Sequence, residues 1–214
     1  MPIAYDNSST TRQLTSGTSI SYSFTRASGL GTIFVALAVT DSRTITSCTF
    51  GGEAMTQVGS RAYGASSILY LFRLRNPSTS GSQTIYAELN ASASFILSTA
   101  ISFTGDTSTG TNAAAFTATG ATTLASTLSV ADQSWCVLAA SSNNFDLTAG
   151  TGSTVVTTGN PLLGRNGPRS GAGTTSMTAN AAGSDDIGSV ICEIAEPGPT
   201  VTDFPASKRL VSVL

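Results

Sequence analysis

From residue 94 to residue 104 apolar and polar positions alternate, with Phe95, Leu97, Thr99, Ile101 and Phe103 on one side. A strand places successive side chains on opposite faces, so a period of two marks a strand with one buried face. The same period recurs along most of the chain. No segment keeps the 3.6-residue apolar stripe by which a helix packs, so the chain is confined to all-β architectures. Residues 20–25 and 32–40 read as the first strong strands, and the second (TIFVALAVT), apolar on both faces, reads as central. In residues 67–75, Ile68, Tyr70, Phe72 and Leu74 face one way and Leu69 and Leu71 the other. Residues 83–89, 124–130, 134–141 and 187–195 are further strands.

Turn chemistry punctuates these runs. Gly51-Gly52 between residues 44–50 and 54–60 predicts a two-residue hairpin loop, with Phe50 opposite Glu53, Cys48 opposite Met55 and Ile45 opposite Val58. Asn76-Pro77-Ser78-Thr79-Ser80-Gly81 is a turn by composition. Residues 106–120 are rich in Thr, Ala and Gly. Residues 146–183 are rich in Gly, Thr, Ser and Asn, with weaker strands at 154–158 and 174–178. Some ten to fourteen short strands in this spacing predict a single antiparallel β-sandwich, jelly-roll-like, with long Gly/Thr-rich loops. The expected division is a sandwich domain over 1–196 and an extended, Pro-containing C-terminal arm over 197–214. Glu196-Pro197-Gly198-Pro199 stops the last strand, and the arm ends in the strand-prone Leu210-Val211-Ser212-Val213-Leu214. Such an arm either adds to a neighbouring subunit's sheet edge or folds back on its own domain. Pro205, Leu210, Val211, Val213 and Leu214 are therefore the candidate subunit contacts.

Composition narrows the chemistry. Charged residues are 10% of the chain, against about 25% in an ordinary soluble domain, while 32 serines and 33 threonines fill the difference. Ten basic and twelve acidic residues, with Lys208 the only lysine, exclude nucleic-acid binding driven by clustered positive charge. The apolar run 33–39 is too short to cross a bilayer, so no membrane partner is expected. The absence of histidine removes Ser-His-Asp and Cys-His catalysis and His-based metal sites. Cys48, Cys136 and Cys192 lie in strand-like segments and read as buried thiols rather than a disulfide frame. Asp146, Asp185 and Asp186 have no spacing that favours a calcium loop, and the Gly-rich segments precede no helix that would hold a phosphate. The expectation is a non-enzymatic protein without cofactor or metal. Trp135 reads first as a core plug. Phe116 and Phe145 lie near polar loops, and with Trp135 they are the candidate glycan contacts if the surface binds sugars. Residues 1–6 lack the basic and apolar regions of a secretory signal.

One pattern goes further. The segments I45-T-S-C-T-F-G-G-E-A-M-T-Q-V-G59, I68-L-Y-L-F-R-L-R-N-P-S-T-S-G-S-Q-T-I-Y86 and A100-I-S-F-T-G105 resemble a β-sandwich unit recurrent in bacteriophage virion structural proteins and in some bacterial surface proteins. The pattern covers residues 32–106. The resemblance implies a virion component assembled in the host cytoplasm, foremost a capsid decoration or cement protein. It further implies partners among the major capsid protein or tail proteins and a homo-oligomer such as a trimer. A tail or fibre subunit, or a surface module binding host glycans, is the alternative.

Overall fold

The computed structural model describes residues 2–105 and 112–195, and its regular elements are all strands. They are β1 (Ala4–Ser8), β2 (Arg12–Arg26), β3 (Gly31–Val39), β4 (Ile45–Phe50), β5 (Glu53–Ala54), β6 (Thr56–Tyr63), β7 (Ser67–Arg75) and β8 (Gly81–Thr104). There follow β9 (Ala113–Val130), β10 (Trp135–Ser142), β11 (Leu147–Ala149), β12 (Thr154–Thr157), β13 (Leu162–Asn166) and β14 (Gly173–Ile194). Strands β1–β8 form one antiparallel sheet and β9–β14 a second, and the two pack against each other as a sandwich.

Two strands of each sheet are much longer than the rest, and they pair with each other: β2 with β8, and β9 with β14. Neither ribbon runs straight. Tyr22 pairs with Ile85, yet its hydroxyl lies 2.9 Å from Ser98 Oγ, thirteen residues further along β8. A straight strand would hold those two positions about 40 Å apart. The ribbon therefore folds back, and its pairing shifts register where Gly17–Ser19 opposes Ala93–Glu88. In the second sheet Ser126 pairs with Met177, and its Oγ lies 2.6 Å from that of Ser189, so this ribbon doubles over as well, near Asn180–Asp185.

The remaining strands add to the folded ribbons in the same order. β3 joins the C-terminal half of β8 and is followed outward by β7 and β6, while β4 joins the N-terminal half and carries β5. In the second sheet β10 joins the C-terminal half of β14, followed by β13 and β12, and β11 joins the N-terminal half. An antiparallel ribbon rolled so that its halves face each other is a jelly roll. The jelly-roll expectation holds, and the winding occurs twice, with β9 taking the place of β1 and β2 together and β5 having no counterpart in the second roll.

Three apolar layers result. The first lies inside roll one, between Ile33, Val35, Leu37 and Val39 of β3 and Phe50, Ile85 and Leu89 opposite. The third lies inside roll two and holds Cys136, Leu138, Met177 and Ile191. The second joins the rolls back to back, with Phe34, Ala36, Leu69, Leu71 and Phe103 against Trp135, Val137, Leu163, Val190 and Cys192. β3 and β10 each bury both faces, odd residues on one side and even on the other, which explains the unbroken apolar run of β3. Burying each such Leu, Ile or Phe stabilises the fold by about 1.5–3 kcal/mol. Arg165 of β13 adds a cross-roll contact, its guanidinium 4.6 Å from the ring centre of Tyr5 on β1.

Several expectations change. Phe50 opposes Glu53 across Gly51-Gly52, and Cys48 Sγ lies 3.6 Å from Met55 Sδ, but Ile45 does not face Val58. The hairpin ends after two residue pairs because β6 leaves to pair with β7 while β4 pairs with β8. The long loops are mostly strand: residues 113–121 are the first half of β9, and residues 146–183 contain β11, β12, β13 and half of β14. The arm and its candidate contacts Pro205, Leu210, Val211, Val213 and Leu214 lie outside the described residues.

Candidate functional site

The middle apolar layer opens into a cleft at one end. Along β8, Phe103 and Ile101 are fully buried in that layer, Leu97 on the same face is half-buried, and Phe95 is 42% exposed. The face that begins as core ends as surface because the two rolls diverge there. Phe95 keeps the side that the alternation gives it, and only the divergence of the rolls leaves it exposed there. The cleft holds about 800 Å³. Roll one lines it with residues 8–11, Thr40 and Phe95, and roll two lines it with residues 142–146 and 156–160.

A polar network closes its floor. Tyr63 of β6 and Ser141 of β10 share a hydrogen bond of 2.6 Å between hydroxyls, and Ser141 Oγ donates to Asn160 Oδ1. Ser67 Oγ donates to Asn143 Oδ1 at 3.0 Å. The Tyr63–Ser141 and Ser67–Asn143 bonds cross between the rolls, and Ser141–Asn160 ties β10 to the turn before β13. Burial pushes the Tyr63 phenol up to about 12, so it stays a neutral donor and acceptor at any working pH.

Both rim aromatics are set by an aspartate acting on the residue just before them. In roll one, Asp41 accepts the Ser94 backbone N–H at 2.6 Å and its hydroxyl at 2.7 Å, beside Phe95. In roll two, Asp185 accepts the Asn144 backbone N–H at 2.8 Å and its side-chain amide at 2.9 Å, beside Phe145. The two clamps occupy corresponding ends of the rolls with the roles of the strands exchanged. The hydrogen bonds from Ser94 hold the Asp41 carboxyl below its usual range. Burial would raise that of Asp185, but the bonds from Asn144 and from the Asp186 backbone outweigh it and hold it low. Phe145 is 36% exposed, and its ring packs over Gly183, where a Cβ would come within 2.8 Å of it.

Among the described residues, the exposed Asp146 carboxylate in the lining has neither hydrogen bond nor ion pair, and Thr11 keeps its Oγ1 buried behind the wall beside Gly159, also without a hydrogen bond. Asp146 is the one carboxylate of the lining, which includes no Lys or Arg.

Of the three aromatics singled out in the sequence, only Phe145 reaches the cleft. Trp135 is 6% exposed and packs edge-on against Phe103 at 5.6 Å, deep between the rolls, so it is the core plug and no platform for sugars. Phe116 is half-buried against the core of roll two. Both are apolar side chains on strands whose outer side the fold covers. Asp185 and Asp186 do not converge with Asp146, since Asp185 clamps the Asn144 loop and Asp186 accepts the Gly120 N–H at 3.0 Å. Cys48, Cys136 and Cys192 are all buried free thiols, and burial pushes each up to about 12. Nothing in the sequence separates Phe95 from its buried neighbours, and Thr11 sits in an ordinary Ser/Thr run. Scans of family models, of curated proteins and of solved structures return no match to this chain.

Proposed function

We propose that this chain is a non-enzymatic structural protein of a bacteriophage particle, foremost a capsid decoration or cement protein held in place by contacts with neighbouring subunits. The observation that carries the reading is the outer edge of each roll. The long strands β2 and β9 pair on one side only among the described residues, β2 with β8 and β9 with β14. Their outward side chains are largely Ser and Thr, as at Thr123, Thr127 and Ser129 of β9. An open strand edge offers a row of N–H and C=O groups to an added strand. Short hydroxylated side chains lose little entropy when such a contact forms. The residues that carry the resemblance to virion proteins support the reading further, since they fall together on β4–β8 within roll one. In this account residues 197–214 supply the strand added to a neighbour, with the major capsid protein and further copies of this chain as partners. The alternative is a tail or fibre subunit, or a surface module that binds host glycans.

Immunogold labelling of particles purified from the source tests the proposal. Gold over the heads is the expected result. Gold confined to tails or fibres moves the protein to the alternative, and unlabelled particles refute a virion role. Deleting residues 197–214 is expected to abolish incorporation while the rolls stay folded. Normal incorporation of the truncated chain would sink the arm mechanism.

A further inference from the structure

We propose that the cleft between the two rolls is a binding site for a neutral oligosaccharide. The inference does not depend on the location of the protein in a particle. A pyranose presents a C–H face and a rim of hydroxyls, and a site for it needs an apolar platform beside dense donors and acceptors. The cleft supplies both. Phe95 and Phe145 are two of the four large hydrophobic side chains exposed among the described residues, and they stand at one cleft on opposite rolls. Each is fixed from behind by an aspartate clamp, so the platforms are positioned before a ligand arrives, and pre-organisation lowers the entropy lost on binding. Between them the walls are hydroxyls and amides. About 800 Å³ lies within the range of small-molecule sites.

The free carboxylate in the lining points to a hydroxylated ligand. The Asp146 carboxylate accepts two hydrogen bonds from neighbouring ligand hydroxyls, the pattern that a vicinal diol presents. The same charge selects the class of glycan. With Asp146 in the lining and neither Lys nor Arg there to balance a ligand's charge, a uronate, sialic acid or phosphorylated sugar would bring its anion against a carboxylate. Neutral chains alone fit.

The test uses the full chain of 214 residues. An array of neutral and anionic glycans, including cello-, malto-, manno- and chito-oligosaccharides and bacterial surface polysaccharides, is probed first, and the best hit is titrated by calorimetry. Neutral glycans are the expected hits. Phe95→Ala and Phe145→Ala are each expected to weaken binding about tenfold, the order of one lost aromatic stack, and Asp146→Asn to weaken it as well. Leu30→Ala removes an exposed apolar side chain at the other end of β3 and is expected to leave affinity unchanged. Thermal unfolding checks each variant. Phe95 is exposed, so F95A retains the fold and carries the test even if F145A, whose ring packs on Gly183, does not. An array without neutral hits, hits confined to anionic glycans, or a neutral hit whose affinity survives F95A would each overturn the proposal.

Discussion

The two rolls wind alike and are filled differently. Roll one packs four aromatic rings into its core, with Phe24 edge-on to Phe50 at 6.4 Å and Tyr70 stacked on Phe72 at 6.3 Å. The buried core of roll two contains Leu, Ile, Val, Met, Ala and Cys, and its nearest ring, Phe116, is only partly buried against it. Even the links across each fold differ in reach. A tyrosine spans the layers of roll one to meet Ser98, whereas two serine hydroxyls touch directly across roll two. Roll two is therefore thinner where its ribbon doubles over. The same winding from different fillings shows that ribbon pairing and the in-out alternation set the topology, while side-chain volume sets the layer spacing.

The largest effect is expected where the rolls meet. Phe103 packs edge-on to Phe34, Trp135 and Tyr5, and Phe103→Ala should cost about 3–5 kcal/mol. Urea unfolding of this variant should show one transition at a lower midpoint. Two separated transitions would mean that each roll is stable alone, and the rolls would then have to be compared as independent units.

Turns should separate the rolls next. Gly152 of roll two has φ +76°, and a Cβ there would run into the Ser176 carbonyl. Gly152→Ala should cost about 1–3 kcal/mol. Gly29 of roll one has φ +91° with open space around it, so Gly29→Ala should cost only backbone strain, about 1 kcal/mol. Equal melting temperatures for the two variants would contradict this ranking.

The serine link sharpens the comparison further. Ser126→Ala or Ser189→Ala leaves one buried hydroxyl unpaired and should cost about 1–3 kcal/mol, while the double variant should regain much of the loss. Tyr22→Phe in roll one removes the partner of the buried Ser98 hydroxyl and should likewise cost about 1–3 kcal/mol. A double variant no better than the worse single one would place the loss in packing instead.

The smallest expected effect is on pH. Asp41 and Asp185 have folded pKa values below their unfolded ones. Their contribution is therefore complete above the unfolded value of about 4 and is lost as pH falls through the lower folded values. Unfolding midpoints followed from about pH 6 down to about pH 2 should fall less steeply for Asp185→Asn than for the parent chain. Identical profiles would remove the roll-two clamp.

Much of roll one was legible from the sequence. Its large apolar residues alternate cleanly, so β3, β7 and the two faces of residues 68–74 follow directly from periodicity. Roll two was harder to read for a physical reason. The first half of β9 is Ala and Thr, which bury or face water at similar cost, and Ser126 and Ser189 are buried hydroxyls that look like surface in a sequence. The loop aromatic Phe145 was visible as a contact candidate. Its partner Phe95 was not, because Phe95 and Phe103 are the same residue type on the same face of the same strand, one exposed and one fully buried.

The sequence by itself determined the all-β class, the positions of most strands and turns, the fate of the three thiols and the exclusion of histidine chemistry. These follow from local rules: side chains alternate on a strand, glycine turns a hairpin, and a thiol among apolar neighbours is buried. Only the tertiary structure decided that the ribbon rolls up twice, that β3 and β10 bury both faces, and where roll two stops covering β8. That last boundary makes Phe103 core and Phe95 the wall of a cleft, since the burial of a side chain depends on what lies opposite it, and what lies opposite comes from residues far away in the chain.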